Sequence, residues 1–125
     1  MKAAVKKATR ELTKKEQLVI SRSQFEKIAE IIKEHKTCTI DAPELAILLE
    51  CEKKDGGTFD QYVICGRCEE TGFFGWYATG SASAGENMIE LMREMEGEGN
   101  DYKIRIEYRQ SRNDASRKYY NAYII

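Results

Sequence analysis

Four cysteines, one histidine and a dense set of aromatic and basic side chains are the residues of this chain equipped for chemistry. Cys65-Gly66-Arg67-Cys68 has the C-x-x-C spacing that makes half of a zinc ribbon, and the thiolates of Cys38 and Cys51 would complete four ligands. A second C-x-x-C is missing, and Cys51 and Cys65 lie inside apolar runs, where a free cysteine packs as a small hydrophobe. Core thiols are therefore expected, with a zinc site on Cys38, Cys51, Cys65 and Cys68 as the alternative. His35 closes an amphipathic stretch, where a cationic ring meets a helix C-terminus favourably, which suits a cap better than a general base. There is no phosphate loop, nucleophile elbow or H-E-x-x-H, and the carboxylates of the middle segment show no paired spacing. No enzymatic reaction and no cofactor is read from these residues.

The aromatic and basic residues make a stronger constellation. Of twelve aromatics, eleven follow residue 58, and several alternate with charge. A strand sends successive side chains to opposite faces, so one member of each neighbouring pair Phe73/Phe74, Trp76/Tyr77 and Tyr119/Tyr120 should face outward. Outward rings among cations suit single-stranded nucleic acid, whose bases stack on aromatic faces for about 1–3 kcal/mol each while Lys and Arg track the phosphates. The residues expected to serve are Tyr62, Phe74, Trp76 and Tyr120 as platforms and Arg67, Lys103, Arg105, Arg109, Arg112, Arg117 and Lys118 as phosphate partners. The alternative is that the outer rings pack under N-terminal helices or form the interface of a homo-oligomer.

These side chains need elements to hold them. Thr13 with Glu16, and Ser23 with Glu26, are capping-box patterns, each opening a helix; Phe25, Ile28, Ile31 and Ile32 form the apolar stripe of the second. From Thr37 the pattern turns to strand. The run Leu45 to Leu49 lies between Pro43 and Asp55-Gly56-Gly57 and suits a long, bent strand; Phe59 to Cys65 returns from it, and Phe73 to Thr79 is a third strand. Met88 to Met95 reads as a helix. Tyr102 to Arg109 alternates with a period of two, and Lys118 to Ile125 closes a final hairpin. The fold class expected is mostly β with α: an OB-like five-stranded barrel, strand-strand-strand-helix-strand-strand, preceded by two N-terminal helices. The expected division is a basic arm over 1–12, a helical segment over 13–36 packed on the barrel, and the OB-like domain over 37–125. An open α+β sheet is the alternative.

The 125 residues suit one domain, and 33% charged with 42% hydrophobic residues suits a folded, water-soluble chain. No apolar run is long enough to span a membrane, and Met1 to Leu12 has no apolar signal core, so a cytoplasmic protein without membrane partners is expected. The net charge of −1 hides segregation. Residues 1–36 carry ten Lys/Arg against five Asp/Glu, residues 37–101 four against fourteen, and residues 102–125 six against two. Basic ends around an acidic middle allow a local anion-binding surface, or simply solvated faces that segregate.

Lys7 to Glu16, K-A-T-R-E-L-T-K-K-E, and Tyr77 to Ser81, Y-A-T-G-S, resemble segments of a family of small phage-encoded single-stranded DNA-binding proteins. The resemblance implies an OB-type fold, a basic opening to a helical N-terminus, and a basic strand and loop over Lys103 to Lys118. It also implies the role of coating single-stranded DNA during phage replication or recombination in the host cytoplasm. The Cys65–Cys68 segment departs from that pattern. Two other functions remain open on the residues alone: a phage counter-defence protein that sequesters a nucleotide signal or blocks a host complex, and an oligomeric adaptor.

Overall fold

The computed structural model describes residues 3–22, 25–110 and 118–125. Along the chain run β1 (Ala3–Ala8), α1 (Lys14–Arg22), β2 (Glu26–Lys27), α2 (Ile28–His35), β3 (Thr37–Glu52), β4 (Thr58–Cys68), β5 (Phe74–Thr79), α3 (Ala82–Glu94), β6 (Lys103–Gln110) and β7 (Lys118–Ile124). All seven strands join one sheet in the order β2-β5-β4-β3-β6-β7, with β1 also on β3. Every neighbouring pair is antiparallel except β2 with β5.

The spine is β3. Pro43 does not bound this strand but sits inside it, in a bulge where Ala42, Pro43 and Glu44 face the single residue Gly66 of β4. A bulge tolerates proline because no ladder hydrogen bond is asked of its nitrogen. Ala42 takes the left-handed conformation, φ +50°, and its N–H donates to the Tyr102 carbonyl at 3.0 Å. Gly66 is required opposite: a Cβ there would lie 2.4 Å from Ile40 Cγ2 and 3.2 Å from the Asp41 carbonyl. Before the bulge, Thr37–Asp41 pairs with β6; beyond it, Ile47–Cys51 pairs with β1.

Beyond the bulge β3 is buried on both faces, which is why Leu45 to Leu49 is continuously apolar. Leu45, Ile47, Leu49 and Cys51 join Val63, Cys65, Ala78 and Ile20 of α1 in one cluster. Ala46 and Leu48 face the larger cluster with Ile64, Tyr77, Ile104, Ile106, the apolar stripe of α2 and Met88, Ile89 and Met92 of α3. The Thr13 capping box forms as its spacing demands. Thr13 Oγ1 accepts from the Glu16 N–H at 3.2 Å, and Glu16 Oε1 accepts from the Thr13 N–H at 2.9 Å. The second, expected from Ser23 and Glu26, does not open α2: Glu26 lies in β2, and the helix begins at Ile28 with Lys27 at its N-cap and no side-chain cap hydrogen bond, while Ser23 itself lies outside the described residues.

The expected five-stranded barrel preceded by two helices is not the fold. Closure would pair β5 with β7; instead β5 takes β2 on its outer edge and β7 ends the sheet on the far side, leaving a curled, open sheet. The helices are interspersed, since β1 precedes α1 and β2 separates α1 from α2. The segment read as a basic arm is largely strand β1, and its lysines meet the acidic middle: Lys6 Nζ is 3.7 Å from Glu50 and 3.3 Å from Asp60, and Lys7 Nζ is 3.2 Å from Glu86. Among the described residues no helix is long and apolar enough to cross a membrane.

Helix α3 starts earlier than its methionines suggest, because Ser81 accepts from the Ala84 N–H at 3.3 Å and caps it. This brings Gly85 against the Tyr62 ring, where a Cβ would lie 2.0 Å from Tyr62 Cγ. Gly85→Ala is therefore expected to destabilise the fold by about 1–3 kcal/mol despite alanine's better helix propensity. In a Tyr62→Ala background the same change should cost nothing, and urea denaturation midpoints of the four variants check both statements.

Candidate functional site

One part of the sheet surface belongs to neither core cluster. Before the bulge, the face of β3 that lies away from α2 and α3 carries Thr37, Thr39 and Asp41, and register extends it sideways. Phe74, Arg67, Asp41 and Lys103 stand in one row across β5, β4, β3 and β6; Thr39, Arg105 and Tyr123 stand in the next across β3, β6 and β7. Arg109 faces Tyr119 toward the hairpin end. The reverse side of these strands holds Cys38, Ile40, Ile104, Ile106 and Ala122 in the core, so alternation alone commits the polar residues to this face.

Hydrogen bonds fix several of these groups. Glu70, in the turn after β4, accepts from Thr37 Oγ1 at 2.6 Å, the Thr39 N–H at 2.6 Å and Thr39 Oγ1 at 2.9 Å. Burial works against the Glu70 carboxylate, but these donors outweigh it and hold its pKa below the ordinary value of 4.5. Arg105 Nε donates to the same Thr39 Oγ1 at 3.1 Å. Lys103 pairs with Glu69, and Arg109 Nε donates to Glu107 at 2.7 Å while its guanidinium sits 5.3 Å from the Tyr123 ring centre. Tyr123 also donates to Glu107 at 3.0 Å. Arg67 has no hydrogen bond or ion pair among the described residues.

Of the residues expected from sequence, the fold thus brings Arg67, Phe74, Lys103, Arg105 and Arg109 onto one face. Tyr62 is not among them. It is 4% exposed, its hydroxyl donates to Glu86 at 2.6 Å, and burial with that carboxylate raises its pKa to about 12. Tyr120 faces the other side, its ring centre 4.6 Å from that of Tyr108. Trp76 shares the Phe74 side of β5 but is half-buried, with its ring centre 6.4 Å from Phe25. Arg112 and Arg117 lie outside the described residues, and Lys118 opens β7. Tyr119 and Tyr123 are the rings that sequence reasoning passed over; the parity of β7 against β6 selects them, and the pattern of the sequence does not carry that parity from one strand to the next.

The cysteine alternative fails on geometry. Cys65 and Cys68 lie three residues apart on one strand and therefore point to opposite faces: Cys38 and Cys68 into the α2–α3 core, Cys51 and Cys65 into the α1 core. The four sulfurs are not brought together, and among the described residues no group of three or more His, Cys, Asp or Glu has metal-site geometry. A hydrogen bond from Cys38 lowers the Cys68 pKa and raises that of Cys38. No family model, curated protein sequence or solved structure matches the chain.

Two outcomes follow from these environments. All four thiols are buried, so a water-soluble disulfide reagent should leave them unmodified in the folded protein and titrate four after unfolding. Glu70 is depressed in the folded state, so its contribution is present above about pH 4.5 and is lost as the pH falls through the folded value. Glu70→Gln should lower stability at neutral pH and flatten its acid dependence below about pH 4.5, as read from denaturation midpoints.

Proposed function

We propose that this protein binds single-stranded DNA, without catalysis, on the face that runs across β5, β4, β3, β6 and β7. The observation that carries this reading is the register that gathers Arg67, Lys103, Arg105 and Arg109 with Phe74, Tyr119 and Tyr123 on a surface no core cluster covers. Phe74 is 56% exposed and Tyr119 40% exposed, which leaves ring surface available to bases. Arg105, anchored through Thr39 to Glu70, and Arg67, without a partner among the described residues, suit phosphate contact. The carboxylates of Glu69 and Glu107 already hold Lys103 and Arg109, so a phosphate backbone must displace or share them. That competition limits the cationic yield of the face. It favours modest affinity, with the salt dependence carried chiefly by Arg67 and Arg105.

Fluorescence anisotropy of a labelled single-stranded oligonucleotide tests the reading. Affinity should fall steeply between about 50 and 200 mM salt, and the Arg67→Glu, Arg105→Glu double variant should bind more weakly with a salt slope smaller by about two. Tyr62→Phe, which removes only the hydroxyl bonded to Glu86, should bind as the unmodified protein does. No binding at low salt, or equal binding by the double variant, overturns the proposal.

A further inference from the structure

Phe73 and Phe74 are 73% and 56% exposed, the first of them the most exposed large hydrophobic residue described, and neither belongs to a core cluster. Both lie on the rim of a cavity of about 520 Å³ beside β5, which β2 covers only at Tyr77 and Ala78. Trp76, Thr71 and Glu26 also line it, and among the described residues no Lys or Arg does. The cavity thus offers ring surface, one carboxylate and no cation. Phe74 stands in register with Arg67, whose guanidinium has no partner among the described residues and is the nearest cation along that row.

From this placement we infer that the pocket takes a single nucleobase bearing an exocyclic amine, with its phosphate toward Arg67. Aromatic walls suit a base over an aliphatic chain, Arg67 suits the attached phosphate, and the Glu26 carboxylate accepts from an amine such as cytosine N4. Thymine presents a carbonyl oxygen where cytosine presents that amine, so a carboxylate there meets an acceptor. The inference rests on the strand-binding reading above for the orientation of the ligand. The same chemistry is supplied by one residue of a DNA strand or by a free nucleotide.

Trp76 is the sole tryptophan of the chain, so its fluorescence reports this pocket alone. Deoxycytidine monophosphate and deoxythymidine monophosphate are titrated against the full chain, with a single-stranded oligonucleotide followed by anisotropy in parallel. Deoxycytidine monophosphate should quench Trp76 with about tenfold tighter apparent affinity than deoxythymidine monophosphate. Glu26→Gln should level the two, and Phe74→Ala should weaken both. Equal quenching by the two nucleotides overturns the inference. So does the absence of quenching by either while the oligonucleotide binds in an Arg105-dependent way, an outcome that leaves the strand-binding reading standing. Base-selective quenching without oligonucleotide binding supports the pocket with a free nucleotide as its ligand and overturns the strand-binding reading.

Discussion

The bulge at Ala42–Glu44 is the constraint on which the rest of the structure depends. A regular 16-residue strand would keep one partner along each edge and one character on each face. Three residues opposite Gly66 bend β3 instead, so that a single edge serves β6 before the bend and β1 beyond it. The two halves then live in different surroundings. One is buried on both faces between α1 and the α2–α3 layer; the other is buried on one face by that layer and carries on the other the half-exposed Thr37 and Asp41 on either side of Thr39, which Glu70 and Arg105 cover. The left-handed Ala42 and the absent Cβ at Gly66 are local costs, offset by two cores that neither half could build alone.

The charge segregation along the chain has a structural meaning different from the one its blocks suggest. The N-terminal lysines are set against the acidic middle across strand and helix boundaries, Lys6 on Glu50 and Asp60, Lys7 on Glu86. Arg10 turns both Nη groups to Glu16 at 2.8 Å, reinforcing a carboxylate already engaged by the Thr13 N–H; that arginine chiefly, against the cost of burial, takes the Glu16 pKa down to about 2. Exposed pairs of this kind add little stability, about 0–1 kcal/mol each. Their larger effect is to spend the N-terminal cations internally.

Local pattern was legible in the sequence wherever local physics decides it. The capping box at Thr13, the stripe of α2, the alternation of β6 and the turn at Gly56, whose φ is +92°, follow from neighbours within a few residues. What did not follow are the pairings made at long range. Nothing in A-A-V-K-K-A announces that it will add to β3, and β2 is two residues long because only Tyr77 and Ala78 offer it an edge. The same limit divides the site. Lys103, Arg105 and Arg109 were readable as one face of one strand, whereas the fate of Tyr62 depended on Gly85 and Glu86 of a helix more than twenty residues away.

A surface gains from being rigid when it must order a flexible chain, because less freedom is lost on its side of the contact. The open face has that property by construction. Each of its residues alternates with one sealed in the α2–α3 core, so the backbone of β3 and β6 cannot shift without disturbing Cys38, Ile40, Ile104 and Ile106, all fully buried. Glu70 adds a second restraint. By accepting from Thr37 and Thr39 it holds the β4–β5 turn to β3, and through the Thr39 hydroxyl it also sets where the Arg105 guanidinium stands. Arg67, one row away, has no such tether. For the strand binding proposed above, a fixed cation beside a free one would divide the work of meeting a phosphate chain: the first would set the register and the second adapt to it.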